Sequence, residues 1–174
     1  MNKPRLYIDS SCFIDAISGA NIEDGRDKEV DFLKRILKAS EQGDLDVFTS
    51  GLTIAEVRYP RNGKVTEDVK RVIKSILSSG KIVSLVEPTI FISEDARDLK
   101  WKYDISGLGG ADAIHLATAI SQSCKEFITV EGKPIKQAEI IKSKLDIRVI
   151  KPSETIYLPD SYKQDNLLEN TEEI

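Results

Sequence analysis

The stretch Arg5-Leu6-Tyr7-Ile8-Asp9-Ser10-Ser11 (RLYIDSS, residues 5–11) decides how the rest of the chain is read. A short apolar run closed by an acid and two serines predicts a buried strand that hands over to a helix capped by Ser10 or Ser11. That helix is expected to end at Gly19. Further strands are predicted at residues 46–49, 82–86, 127–130 and 147–150. Between them the apolar spacing turns helical. Val30, Leu33, Ile36 and Leu37 mark one face of a helix over 28–40, and Gly43 suits its terminating position. A second helix starts near Thr53, runs to about Tyr59 and is stopped by Pro60. A third carries Val65, Val69, Val72, Ile73 and Ile76 on one face. Ser93 caps a fourth that reaches about Tyr103. Residues 111–121 are apolar on nearly all sides, so that helix must be buried, and Pro134 opens a last one that runs to about Leu145. Strict alternation of strand and helix predicts a three-layer α/β/α fold whose central parallel sheet has about five strands.

The chain has 174 residues, enough for one domain that buries roughly 70% of its unfolded surface. The pattern holds over residues 1–152 and fades in an acidic tail, 153–174, expected either to be disordered or to dock without a core of its own. Cys12 and Cys124 lie in apolar segments without CxxC spacing and read as core residues of a reducing compartment. No segment approaches the ~18 apolar residues of a membrane span, so a cytoplasmic protein is expected. A net charge of −4 argues against a non-specific nucleic-acid coat, though not against a nuclease. The one basic stretch contains Arg58, Arg61, Lys64, Lys70, Arg71 and Lys74. It reads equally as a solvated helix face and as a weak substrate-binding surface, the latter through Arg58, Arg61 and Lys64.

Four acids stand where a strand gives way to a turn or helix: Asp9, Glu56, Asp112 and Glu131. Each has a local explanation. Asp9 suits an N-cap, and Thr53-Ile54-Ala55-Glu56 fits a capping box. Asp112 complements a helix dipole, and Glu131 sits in a turn. Together they line one edge of the predicted sheet, whereas no comparable row of acids marks the other. Two carboxylates ~5 Å apart repel by about 3 kcal/mol at an effective dielectric of ~20, so such a cluster must take up protons or bind cations. Without a Cys/His cluster, the hard oxygen donors suit Mg²⁺ or Mn²⁺. Ser11 and Thr129, each two residues from an acid, are candidates to orient a carboxylate or a water. His115, the only histidine, lies one turn after Asp112 and reads first as a packing residue. Trp101 reads as amphipathic packing.

In LYIDSSCFIDAI, TIAEV, DAIHLATAI and FITVEG, taken in this order and spacing, the chain resembles the PIN-domain ribonucleases, especially the VapC-like toxins of prokaryotic toxin–antitoxin pairs. The resemblance runs from about Arg5 to Pro152 and places the family's acids at Asp9, Glu56, Asp112 and Glu131. The fourth position is commonly aspartate, so Glu131 is a departure that bears on occupancy by a second metal. The resemblance implies Mg²⁺- or Mn²⁺-dependent endoribonuclease chemistry, in which water attacks the phosphodiester in line and leaves a 5′-phosphate and a 3′-hydroxyl. It also implies a homodimer and an antitoxin partner. Two rivals stand beside it. A phosphatase with an aspartyl nucleophile would need a second acid where Ser11 stands. The other is a catalytically degenerate PIN domain that serves as an RNA- or protein-binding scaffold.

Overall fold

The structure, a computed structural model, describes residues 3–18, 25–58, 60 and 64–163. Its five strands are β1 (Arg5–Ile8), β2 (Asp46–Ser50), β3 (Ser84–Val86), β4 (Glu126–Ile128) and β5 (Arg148–Ile150). They form one sheet in the order β3-β2-β1-β4-β5, and every neighbouring pair is parallel. The helices are α1 (Ser10–Ser18), α2 (Asp27–Glu41), α3 (Leu52–Glu56), α4 (Glu67–Leu77), α5 (Ile90–Trp101), α6 (Gly110–Ser121), α7 (Gly132–Lys136) and α8 (Ala138–Leu145). The three-layer α/β/α architecture expected from the alternation is present.

Successive strand residues point to opposite faces, which divides the core. Leu6, Ile8, Ile128 and Ile150 join the cluster containing Leu33 and Ile36 of α2. Tyr7, Phe127 and Val149 join the cluster containing Leu116 of α6 and Ile141 of α8. Tyr7 and Phe127 stack with ring centroids 5.3 Å apart. The nearly all-apolar α6 is buried from His115 to Ala119, as its composition requires. Cys12 and Cys124 are both buried and free, and burial pushes the Cys124 thiol up to about 12. Among the described residues no helix is long and apolar enough to cross a membrane.

Several boundaries depart from the sequence expectation for local reasons. α3 starts at Leu52, because Gly51 N–H is engaged by Val86 O at 2.8 Å, and it ends at Glu56; Tyr59 lies outside the described residues, as does Gly19. Glu56 is therefore the last residue of its helix and not the third position of a capping box. The Thr53 hydroxyl is buried against Thr49 Oγ1 at 2.7 Å. α5 is capped by Thr89, which accepts from Ile92 N–H at 3.3 Å, whereas Ser93 Oγ donates to Thr89 O inside the first turn. The helix expected from Pro134 to Leu145 breaks at Gln137, whose N–H turns back to Pro134 O at 3.0 Å. β3 begins only at Ser84, where pairing with β2 starts. Trp101 is 71% exposed, with the Arg97 guanidinium over its ring at 4.5 Å, and does not pack into the core.

After β5 the chain docks. Leu158 and Tyr162 enter the α2-side core. The Ser153 amide and hydroxyl both donate to Glu29 at 2.9 Å, and Tyr162 OH donates to Asp44 at 2.7 Å. Residues 164–174 of the tail lie outside the described residues.

Candidate active site

Strand order reverses at β1: β2 and β3 lie on one side, β4 and β5 on the other. In an open parallel sheet, such a reversal opens a crevice beyond the carboxyl ends of the strands. Asp9 stands there, immediately after β1, with its amide bonded to Ile128 O of β4 at 2.9 Å. Glu56 follows β2 at the end of α3, Asp112 is in the first turn of α6, and Glu131 follows β4 just before α7.

Asp9 is almost fully buried and is held by two hydroxyls. Ser11 Oγ donates to Asp9 Oδ2 at 2.6 Å, and Thr129 Oγ1 donates to the same oxygen at 2.8 Å. Thr129 Oγ1 in turn accepts from Glu131 N–H at 3.0 Å. Both hydroxyl residues singled out in the sequence thus orient the first acid. Their donors are neutral, so the Asp9 charge is oriented without being neutralised. Among the described residues no hydrogen bond ends on Asp9 Oδ1, and its nearest charged neighbour is His115 Nε2 at 3.8 Å, beyond hydrogen-bond reach.

Glu56 is half-buried and bonded to His115, with Nε2 and Oε2 2.7 Å apart. This bond, the larger influence, lowers the Glu56 pKa against an opposing desolvation cost. For His115, burial is the largest single influence and disfavours the imidazolium. The Glu56 hydrogen bond and the charges of Asp9, Glu56 and Asp112 outweigh it, and the His115 pKa is raised. The imidazole thus stands between Glu56, at 2.7 Å, and Asp9 Oδ1, at 3.8 Å. Asp112 also caps its own helix, with Oδ2 accepting from Gly109 N–H at 3.0 Å. Glu131 is exposed and lies beside Thr129 through its backbone.

From the sequence His115 reads first as packing, and Tyr7 only as part of a strand; the structure joins the two. Tyr7 OH and His115 Nδ1 are 2.6 Å apart, and Ser50 N–H donates to the same phenol oxygen at 2.8 Å. The signal available in the sequence was a polar ring, the only histidine, set one turn after Asp112 in an otherwise apolar helix.

Lys64 is exposed, Arg58 is exposed two residues beyond Glu56, and Arg61 lies outside the described residues. Lys70 and Arg71 pair with Glu67 and Asp68 along α4, the solvated-face arrangement.

Among the described residues no three acidic, His or Cys side chains are drawn close enough to close a metal shell. Mg²⁺ does not require one: it binds through one or two carboxylates and keeps several waters. The donors at this edge are carboxylate oxygens, and no Lys or Arg among the described residues pairs with Asp9, Glu56 or Asp112. The residues present therefore fit a hard divalent cation.

No curated protein matches the chain. Among solved structures, a chain in the crystal structure of FitAcB from Neisseria gonorrhoeae is similar in fold, with a TM-score of 0.52 at 18% identity over 86% of this chain and 99% of that one. The family model described as PIN domain matches residues 6–140, from β1 into α8, spanning all four acids. PIN domains are generally nucleases and typically use a divalent metal. The chain belongs to the PIN domain family.

Proposed function

We propose that the protein is an Mg²⁺- or Mn²⁺-dependent endoribonuclease whose metal would be bound by one or two of the carboxylates Asp9, Glu56 and Asp112, the remaining acids acting through its waters, with Glu131 at the rim. One observation carries the reading. The acids at the carboxyl edge are oriented by neutral hydroxyls and a histidine, whereas buried acids elsewhere are answered by arginine, as Asp15 is by Arg26 at 2.9 Å and Glu126 by Arg148 at 2.5 Å. Asp9, Glu56 and Asp112 share one imidazole and no arginine or lysine among the described residues, which leaves this edge net acidic and suited to a divalent cation.

When bound, the cation would supply Lewis acidity for hydrolysis of the phosphodiester and screen the phosphate from the carboxylates. The remaining work falls to the chain. Ser11 and Thr129 fix Asp9 Oδ2 and so aim Oδ1 into the crevice. His115 holds Glu56, and the Gly109 amide holds Asp112. Glu131, exposed and longer than the commoner aspartate, would act on the cation through its waters. Arg58, Arg61 and Lys64 take RNA phosphates. The resemblance to VapC-like toxins extends the proposal to a toxin–antitoxin setting, with an antitoxin chain and a second copy of this chain as partners and the cytoplasm as the compartment.

Incubation of purified protein with single-stranded RNA tests the reading. Cleavage is expected with Mg²⁺ or Mn²⁺ and should stop with EDTA. Undiminished cleavage in excess chelator contradicts metal dependence. Absence of both cleavage and metal binding leaves the degenerate scaffold as the reading.

A further inference from the structure

We propose that His115 is a positioning residue for Glu56, fixed from within the sheet by Tyr7; this rests on the metal-dependent nuclease reading above. The imidazole is 1% exposed and both ring nitrogens are engaged, Nε2 by Glu56 Oε2 and Nδ1 by Tyr7 OH. The phenol oxygen is itself held, because it accepts from Ser50 N–H at 2.8 Å, and a phenol keeps one O–H donor of its own. Its hydrogen is therefore available to Nδ1. With Nδ1 accepting, the neutral ring must carry its hydrogen on Nε2, directed at the Glu56 carboxylate. The doubly protonated ring also donates from Nε2. In either state the chain of contacts delivers a donor to Glu56.

Position makes this a built device. Glu56 ends a helix of five residues and its side chain is 28% exposed, so its own element constrains it little. Tyr7 belongs to the central strand, and His115 opens the buried run His115–Ala119 of α6, facing Tyr7 at a ring-centroid distance of 5.9 Å. Rigid elements thereby set the direction of a carboxylate carried by a short one. The 3.8 Å separation between Nε2 and Asp9 Oδ1 places the ring as a spacer between the two acids. Loss of a partner that orients a metal-ligating group costs about 10–100-fold in metal affinity.

The test is calorimetric Mn²⁺ titration of full-length wild type, His115→Gln, His115→Asn and Tyr7→Phe, with a thermal melt of each. Gln places an amide donor near the Nε2 position and reaches Glu56, whereas Asn matches only the Nδ1 side. Expected is retained affinity in His115→Gln, within a few-fold of wild type. A loss of about 10–100-fold is expected in His115→Asn and Tyr7→Phe, though the two His115 variants melt alike. Equal losses in Gln and Asn with none in Tyr7→Phe would reduce His115 to packing and overturn the proposal. If His115→Asn does not fold, Tyr7→Phe decides, since it removes one hydroxyl; wild-type affinity there overturns the proposal. Binding and RNA cleavage unchanged in every variant would refute the positioning role and leave the nuclease reading standing. No Mn²⁺ binding by wild type would end both.

Discussion

The two ends of one sheet bury acids in opposite ways. Asp9 leaves the carboxyl end of β1, and Glu126 opens the adjacent β4 at the amino end, in register with Leu6. Glu126 is wholly buried and internally satisfied: Arg148 Nη1 donates at 2.5 Å, Thr155 Oγ1 at 2.6 Å and Ile156 N–H at 3.3 Å. Those bonds pin the chain after β5 against the sheet. Asp9 receives only hydroxyls, and the acids near it share a histidine. Depth alone therefore does not distinguish the two acids. What separates the two ends is that an arginine answers Glu126, whereas Asp9 and Glu56 share a single imidazole.

The largest effect should come from Asp112→Asn. The amide retains an oxygen for the Gly109 N–H, so the fold should persist, while cleavage should fall by more than the ~10–100-fold typical of losing an outer partner of a metal. Rates measured beside a circular dichroism melt check both halves. At the other end the expectation inverts. Glu126→Ala should lower stability by about 1–3 kcal/mol, because buried donors lose their acceptor, yet leave cleavage per folded molecule unchanged. Chemical denaturation together with a rate normalised to folded protein decides it.

The pH dependence should differ in sign between the ends. Glu56 has its pKa lowered below 4.5, chiefly by the His115 bond, so its contribution to stability is present above 4.5 and is lost as pH falls through the folded value. Glu126 has its pKa raised above 4.5, chiefly by burial, so its contribution is full below 4.5 and is lost as pH rises through the folded value. Between about pH 3 and 7 the stability gap to wild type should widen against Glu56→Gln with rising pH and move in favour of Glu126→Gln. Parallel slopes would erase the electrostatic contrast. The smallest effect is expected at exposed Glu131: Glu131→Asp should preserve or raise activity, while Glu131→Gln should weaken the Mn²⁺ dependence in a metal-titrated assay. Near-complete loss in both would mean that the site has been rebuilt around the longer glutamate.

Much of this was legible in the sequence where the signal is local. Apolar runs ending in an acid revealed the strands and the positions of Asp9 and Glu131, and two-residue spacing pointed to Ser11 and Thr129. The rest depends on contacts distant in sequence. Glu56 mimicked a capping box because Thr-x-x-Glu spacing is a local rule, whereas the Gly51–Val86 bond that starts α3 one residue earlier joins separate strands. His115 read as packing because its partners, Tyr7 and Glu56, are 108 and 59 positions away. Glu126 fell one residue outside the strand predicted over 127–130, and the opposite edge was read as lacking a comparable row of acids. Its buried ion pair appears only once β5 is placed alongside.

The most direct test of the central claim, that the carboxyl-edge acids await an external cation, is a calorimetric Mn²⁺ titration of wild type against Asp9→Asn. Saturable binding in wild type that disappears in the variant, with both proteins folded, is the predicted result. No heat up to millimolar Mn²⁺ in wild type, or the same isotherm in Asp9→Asn, would contradict it.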